Sequence, residues 1–444
     1  MQSSVSTSRN EKMKQYDLFT DRHVLLLSIN YAPEPTGFAP HVTALCEFLV
    51  RAGCAVTVFT GFPFAPRWVR WPEYSKGYMQ KEDVNSVSVV RLTHFIPRSP
   101  SRLIERCLME GTFCLSALIG LIRYRPRFDG VIYVGAQPSI AFLARGLAWL
   151  KNVRYGIFIN DLATGAAADV GIIKHAWLQR LLHAFEYAAY RKASHAVVLC
   201  QAFKDALVAD GFPEGRISIV RSPVNLEQIR PLPTNQGFRV LHGLGPDDFV
   251  VLFAGSMGLK QGMGNVIAAA RLLTPSCPRI KWILVGEGET RTQIEKSIQE
   301  SELCETVFLL PFQPAAQMSA MFSAADVLLL NQLKSVKNTV VPSKLLTYMA
   351  AGRPVLAAVN AASQGAEIMR EAQGGIVVLP EDPEALAEGV LELANLSSLG
   401  LSAMGQANRR YALEHFDESK ILRHLERFVS DVMEDPIEAK GSAA

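Results

Sequence analysis

A chain of 444 residues, 49% hydrophobic and 20% charged, has an ordinary globular composition, and its length favours two domains that can each bury a core. A formal net charge of +3, with no basic tract interleaved with aromatics, excludes nucleic acid as the main partner. Seven scattered cysteines (46, 54, 107, 114, 200, 277 and 304) form no Cys-x-x-Cys pair, which argues against a structural zinc site and for reduced thiols in a cytosol.

Residues 1–20 are polar and lack the apolar core of a signal peptide, so the protein is expected to stay where it is made. No window is expected to reach the ~20 apolar residues of a membrane span. His23 to Ile29 predicts a first buried strand, followed by a Pro/Gly loop, Asn30 to Pro40. A helix from Val42 to Ala52, stopped by Gly53, and a strand from Ala55 to Thr60 complete a βαβ unit. Gly37 lies in the loop at the carboxyl end of the first strand, where open α/β sheets hold ligands, and glycine allows close backbone approach. His41 reads as a packing or capping residue, with a ligand-contacting role as the lesser alternative. Phe62 to Pro72 is a stiff aromatic loop that could stack on a sugar or on its neighbours.

Ser88 to Leu92 predicts another strand. From Arg98 to Arg127 six arginines (98, 102, 106, 123, 125, 127) stand against two glutamates (105, 110), flanking the uncharged stretch Gly111 to Ile122. That stretch reads either as a core helix covered by its neighbour or as an interfacial helix, and the arginines favour peripheral contact with an anionic membrane. Buried strands at Gly130 to Gly135 and Tyr155 to Asn160 enclose a helix, Ile140 to Leu150. Asp161, at the end of the second, could bind a ligand hydroxyl or take its proton, or cap the next turn. A helix from Trp177 to Lys192, strands at Ala196 to Leu199 and Ile217 to Asn225, and structural roles for His183 and His195 finish this half.

After a Pro/Asn/Gly-rich linker the pattern restarts. Phe249 to Gly255 mirrors the first strand, and a Gly-rich loop, Gly255 to Gly262, carries Lys260 to neutralise a diphosphate. A helix, Asn265 to Leu273, and a strand, Lys281 to Gly286, follow; Glu287 at that strand's end could reach a nucleotide or sugar, with a turn as its default role. Asp326 to Leu330 and Val355 to Val359 predict buried strands around a helix that Ser343 caps, with Pro342 in its first turn. Gly352 ends this helix in the left-handed region, and Pro354 keeps it from resuming. Its N-terminus offers free N–H groups to an anion, and Lys344 adds a point charge. Gly374 to Leu379 is a short strand, and Asp382 caps a helix with a proline at its first position.

Pro342-Ser-Lys-Leu-Leu-Thr-Tyr-Met-Ala-Ala-Gly-Arg-Pro-Val355 resembles the donor-site helix of glycosyltransferase family 4, and Tyr31 to Pro40 is similar to the opening loop of its colanic-acid-type exopolysaccharide branch. The resemblance runs from His23 to about Met433. It implies an α/β, GT-B architecture of two Rossmann-like domains facing each other across a cleft, with a domain at 21–227, a linker at 228–240, a domain at 241–415 and a terminal helix at 416–434 crossing back to the first domain; residues 1–20 and 435–444 are expected to be disordered tails.

It further implies a retaining transfer from a nucleoside-diphosphate sugar, with no metal and no cofactor. The leaving phosphate oxygen would serve as base. Catalytic roles fall to Asp161 and Lys260, and donor contacts to Gly37, Ser256, Lys260, Gln261, Gly262, Glu287, Phe312, Pro342, Ser343, Lys344, Leu345 and Thr347. The implied acceptor is a lipid-linked saccharide at the inner face of the plasma membrane. The chain departs from the family in having Thr339 and Thr347 at the two motif glutamates, and Ser256 and Gln261 where Arg and Lys often hold the diphosphate. A scaffold that kept the fold but lost the chemistry is the competing reading, and a sugar-nucleotide epimerase or a phosphorylase a lesser one.

Overall fold

The computed structural model describes residues 19, 21–35, 38–100, 102–162, 175–336 and 342–434. They form two compact units, one of residues up to Val220 together with those from Ile421 onward, the other Arg221–Lys420. Gly37, Thr339 and nearly all of the two expected tails lie outside the described residues; Phe19, within the first expected tail, is fully buried.

The first unit is built in the order β1 (His23–Leu27), α1 (Ala39–Arg51), β2 (Ala55–Gly61), β3 (Met79–Val84), β4 (Val87–Leu92), α2 (Leu103–Tyr124), β5 (Gly130–Gly135), α3 (Pro138–Lys151), β6 (Arg154–Ile159), α4 (Ala176–Tyr190), β7 (Ala196–Val198), α5 (Gln201–Ala209) and β8 (Ile217–Ile219). The strands lie in the order β3-β4-β2-β1-β5-β6-β7-β8. All pairs are parallel except β3 with β4. Central strands such as Val24 to Leu27 are covered on both faces, which is why they read as unbroken apolar runs. Met79–Val84 carries Lys81, Glu82 and Asp83 and occupies the edge, where one side needs no apolar cover. Its hairpin turns on Asn85 and Ser86, both at positive φ (53° and 67°), the geometry of a two-residue type I′ turn.

Right-handed crossovers put α1 on one face of this sheet and α2, α3, α4 and α5 on the other. The uncharged stretch 111–122 belongs to α2, whose 22 residues are long and apolar enough to cross a membrane, contrary to the expectation from sequence. Nor is it a covered core helix. Only its inner stripe of Met109, Phe113, Ser116, Ala117 and Gly120 is buried, with Gly120 against Leu92 and Phe59 and the Ser116 hydroxyl donating to Thr93 O at 2.6 Å. Leu115, Leu118, Ile119 and Ile122 are exposed.

The second unit begins with α6 (Gln236–Leu241), which falls in the stretch expected as linker. The Asn235 side chain accepts the Phe238 N–H, and Arg239, almost fully buried, reaches the Asp326 carboxylate at 2.7 Å and the Ala324 carbonyl at 2.9 Å, so this segment is fastened to the unit. Then come β9 (Phe249–Ala254), α7 (Met263–Leu273), β10 (Ile280–Val285), α8 (Arg291–Glu300), β11 (Val307–Leu310), α9 (Met318–Ser323), β12 (Val327–Asn331), α10 (Ser343–Ala350), β13 (Val355–Ala358), α11 (Gln364–Ala372), β14 (Gly375–Val378), α12 (Pro383–Ala394) and α13 (Ser398–His415). Asp382 caps α12, its carboxylate accepting the Ala385 N–H at 2.9 Å.

The strand order β11-β10-β9-β12-β13-β14, all parallel, is that of a Rossmann sheet. Direction reverses between β9 and β12, so the carboxyl ends of those two strands frame the crevice where such sheets hold ligands.

The last helix, α14 (Glu418–Glu434), buries Ile421, Leu422, Leu425, Phe428, Val429 and Val432, a helical period. It lies against β5 and β6 of the first unit. A Cβ on Gly156 would come within 2.5 Å of Val432 and 2.8 Å of Phe428, so the missing side chain is what admits the helix.

Candidate functional site

At the reversal point of the second sheet, the chain leaves β9 through Gly255 and leaves β10 through Gly286, and the two exits touch backbone to backbone. A Cβ on Gly286 (φ +152°) would stand 1.9 Å from the Gly255 carbonyl oxygen, and one on Gly288 (φ +155°) 2.5 Å from that of Met257. Hydrogen bonds weld the loops: Met257 N–H to Glu287 O at 2.8 Å, and the Thr290 N–H and hydroxyl to Met257 O at 3.0 and 2.7 Å. From the other side Asn331, fully buried at the end of β12, donates to the carbonyls of Gln261 (2.6 Å) and Gly262 (3.0 Å) and accepts from Asn265 (3.0 Å). The Leu333 N–H donates to Lys260 O at 2.9 Å. The loop from Ser256 to Gly262, with Gly262 at φ +54°, is therefore held in place before any ligand arrives.

The helix α10 opens beside it. Its cap position is taken by Pro342, in an extended conformation, so Ser343 is the first helical residue and faces solvent, and no described side chain caps the end. The expected Ser343 cap is thus corrected: the backbone is already extended at Pro342 (ψ 91°), which puts the boundary one residue earlier. Leu345 is a core residue whose N–H is spent on Pro342 O at 2.9 Å, so its side chain offers nothing to a ligand. The Thr347 hydroxyl is bonded back to Ser343 O at 3.2 Å.

Lys344 crosses the mouth of β9. A Cβ on Gly255 would lie 2.3 Å from Lys344 Cε and 3.3 Å from Nζ, so the lysine occupies the room glycine leaves. Its ammonium sits 5.3 Å from the Phe253 ring centroid, and no carboxylate pairs with it among the described residues. Burial without a counter-charge lowers its pKa to about 8. An anion entering here would supply the missing partner.

The remaining expected donor residues spread around this mouth. Ser256 is exposed, Lys260 is half-buried in a one-turn helix, and Gln261 Oε1 is buried without a hydrogen-bond partner among the described residues. Glu287 is engaged by Arg291 at 3.6 Å, and that guanidinium also donates to Gly286 O at 2.7 Å, which favours a loop-fixing role. Phe312 is half-buried just past β11. Two supports were not foreseen. One is Asn331, whose signal is a polar residue ending an apolar strand. The other is Tyr348, buried, its hydroxyl accepting the Ala254 N–H (2.8 Å) and donating to Ala254 O (3.0 Å). Tyr348→Phe is expected to leave both Ala254 groups unpaired and cost about 1–3 kcal/mol, read by denaturant unfolding.

In the first unit the corresponding reversal lies between β1 and β5. The loop after β1 is tied down by Glu34, which is buried and accepts the N–H groups of Phe64 and Ala65 at 2.8 Å each and the Asn30 amide at 2.7 Å; burial raises its pKa. Phe62 and Phe64 are buried as well, with Arg70 stacked on Phe62 at 3.7 Å, so these two rings pack inward rather than waiting for a sugar. His41 packs edge-on to Phe38, and burial lowers its pKa to about 4, which keeps it neutral near pH 7. His183 stacks on Tyr187 and meets Asp210 at 3.4 Å. Asp161 is half-buried beyond the carboxyl end of β6.

Comparison with known proteins agrees with this anatomy. Residues 36–223 match the glycosyl transferase 4-like domain and residues 238–410 the glycosyl transferases group 1 domain. The chain is similar to WcaI of Escherichia coli K12, a glycosyl transferase named for colanic acid biosynthesis, with 26% identity over 92% of this chain and 99% of that protein. In fold it is similar to sucrose-phosphate synthase from Thermosynechococcus elongatus (TM-score 0.73, 19% identity, 94% of this chain and 100% of that one). It is also similar to HepE of Anabaena, solved with UDP and glucose (TM-score 0.67, 15% identity, 92% and 99%). The chain therefore belongs to the group 1, family 4 glycosyltransferases and has the GT-B fold.

Proposed function

We propose that this glycosyltransferase moves a sugar, with retention, from a nucleoside-diphosphate sugar to a hydroxyl of a lipid-linked saccharide at the cytoplasmic face of the plasma membrane. The observation that carries the reading is the half-buried Lys344, whose ammonium lies at the reversal point of the second sheet with no carboxylate partner among the described residues, beside a helix N-terminus that no described side chain caps. A diphosphate seated there would meet a cation, a helix dipole and, from the preformed loop, Lys260. On this reading those chain groups would offset the diphosphate's charge, and no metal is proposed. HepE, a fold neighbour, was solved with UDP and with UDP-glucose, and WcaI is named for an exopolysaccharide pathway, which supports the donor class and the setting.

With Thr347 in place of a carboxylate and its hydroxyl turned to its own helix, transition-state charge would be met mainly by positioned cations and backbone dipoles. The leaving phosphate oxygen would take the acceptor proton, with Asp161 as the acceptor-side carboxylate. That same Thr347 geometry is what favours the alternative of a catalytically weakened scaffold.

Incubation with a nucleoside-diphosphate sugar and a polyprenyl-diphosphate saccharide tests the proposal. Release of nucleoside diphosphate that depends on the acceptor, with the donor's anomeric configuration kept in the product, is expected. Donor breakdown without acceptor would point to an epimerase or hydrolase, and donor binding without turnover to the scaffold.

A further inference from the structure

The outward faces of α2, α3 and α4 share a property that the sheet behind them does not explain. The three helices pack side by side on one face, α3 in the middle, with Phe142 of α3 and Phe185 of α4 in ring contact at 4.6 Å. On α2 the exposed apolar side chains Leu115, Leu118, Ile119 and Ile122 recur at helical spacing. On α3, Trp149 is 76% and Leu150 69% exposed. On α4, Trp177, Leu181 and Phe185 form an i, i+4, i+8 stripe that points to solvent. Single exposed leucines are ordinary, but a band across three adjacent helices is not.

The charges are sorted as sharply. Arg123, Arg125 and Arg127 are exposed at the end of α2 and Arg102, paired with Glu105 at 3.6 Å, at its start; Lys151 is exposed at the end of α3, and Arg180, Lys192 and Arg191, the last paired with Asp210 at 3.7 Å, on or just after α4. The three acids of these helices are withdrawn: Glu186 is fully buried, Glu105 accepts the N–H groups of Arg98 and Ser99, and Glu110, its pKa raised by burial, accepts that of Ser139. What remains outside is apolar in the middle and cationic at the rim.

Resting on the membrane setting proposed above, we infer that the combined α2–α3–α4 face docks on an anionic bilayer surface. The charge sorting decides the occupant. A second copy of the chain joined through this face would set cations against cations, whereas lipid phosphates complement the rim while acyl chains take the leucines and tryptophans. The helix α2, although long enough to span, stays on the sheet, because lifting it would uncover Phe59 and Leu92 and strand the Ser116 bond. On this reading α2 lies on the membrane and does not cross it.

The test uses the full chain and vesicles of phosphatidylcholine, with or without phosphatidylglycerol, and no substrate. Co-sedimentation with the anionic vesicles, weakened by salt, is expected, together with a blue shift of tryptophan emission that is lost in Trp149→Gln/Trp177→Gln. Leu115→Gln/Ile119→Gln should weaken partitioning at least about tenfold. Each of Arg123→Gln, Arg125→Gln and Arg127→Gln should weaken it roughly fivefold. All variants should melt as the parent does and bind nucleoside diphosphate equally, which keeps a failure here separate from a failure of the transferase reading. Absence of vesicle binding, equal binding to neutral vesicles, or a concentration-dependent dimer that Leu115→Gln/Ile119→Gln dissolves would each overturn the inference.

Discussion

Lys344→Met is expected to weaken nucleoside-diphosphate binding ten- to hundredfold and to slow glycosyl transfer by a further margin, toward the 10²–10³ typical when one preorganised charge is removed from a transition state. Methionine keeps the length and packing of the side chain across Gly255, so the fold should survive and the loss should belong to the charge. The same residue predicts a pH dependence with a definite sign. Burial holds the free ammonium near pKa 8, and a bound diphosphate would raise it. Below about pH 8 the lysine is charged in both states and affinity should be flat, since a phosphate's last ionisation lies lower, at about 6. Above it, binding must take up a proton, so affinity should fall by up to tenfold per pH unit until the bound-state pKa is reached. In Lys344→Met that slope should vanish. Calorimetric titration from pH 7 to pH 9.5 reads both effects, and a slope that persists in the variant would show that another group carries the charge.

Gly286→Ala should be among the most damaging single methyls in the second unit. The added Cβ would stand 1.9 Å from the Gly255 carbonyl oxygen, and the residue's φ of +152° is one that alanine resists. The obstruction is backbone, not a side chain that can swing away, so the two loop exits must separate. The bonds from Met257 to Glu287 and from Thr290 to Met257 would go with them. A cost of at least about 3 kcal/mol follows, a fall of roughly 6–12 °C in melting temperature for a unit of this size. Gly264→Ala on α7, where a Cβ meets nothing within 4 Å, is the control and should be neutral or slightly stabilising. Equal melting of the two variants would mean that the loops are not in the contact described.

Buried parallel strands were readable from sequence because both their faces are covered, so Val24 to Leu27 or Phe249 to Ala254 show as unbroken apolar runs. The edge strand Met79–Val84 was not, since its lysine, glutamate and aspartate match a loop as well as they match an edge. Pro342 and Ser343 marked the start of α10 to within one residue, but which of them takes the cap position depends on where the backbone turns extended. The stretch around Arg239 read as linker because nothing local reveals that its guanidinium reaches Asp326, 87 positions on. Phe62 and Phe64 illustrate the same limit: whether an aromatic loop waits for a ligand or fills the core is decided by Glu34, 30 residues away.

At the candidate site, glycine at the strand ends and lysine at the helix start were visible as residue types. That Lys344 lies in the space above Gly255, with no carboxylate partner among the described residues, is a property of two distant segments meeting. No local pattern encodes it.

Titration of the purified chain and of Lys344→Met with UDP, GDP, TDP, ADP and CMP, read by thermal shift, tests the proposed donor site most directly. One diphosphate should stabilise the parent by about 2.7 kcal/mol when present at 100 times its dissociation constant, and the shift should largely disappear in the variant. No shift with any of the five, in a parent that melts cooperatively, would contradict the donor site and leave a glycosyltransferase fold without its donor.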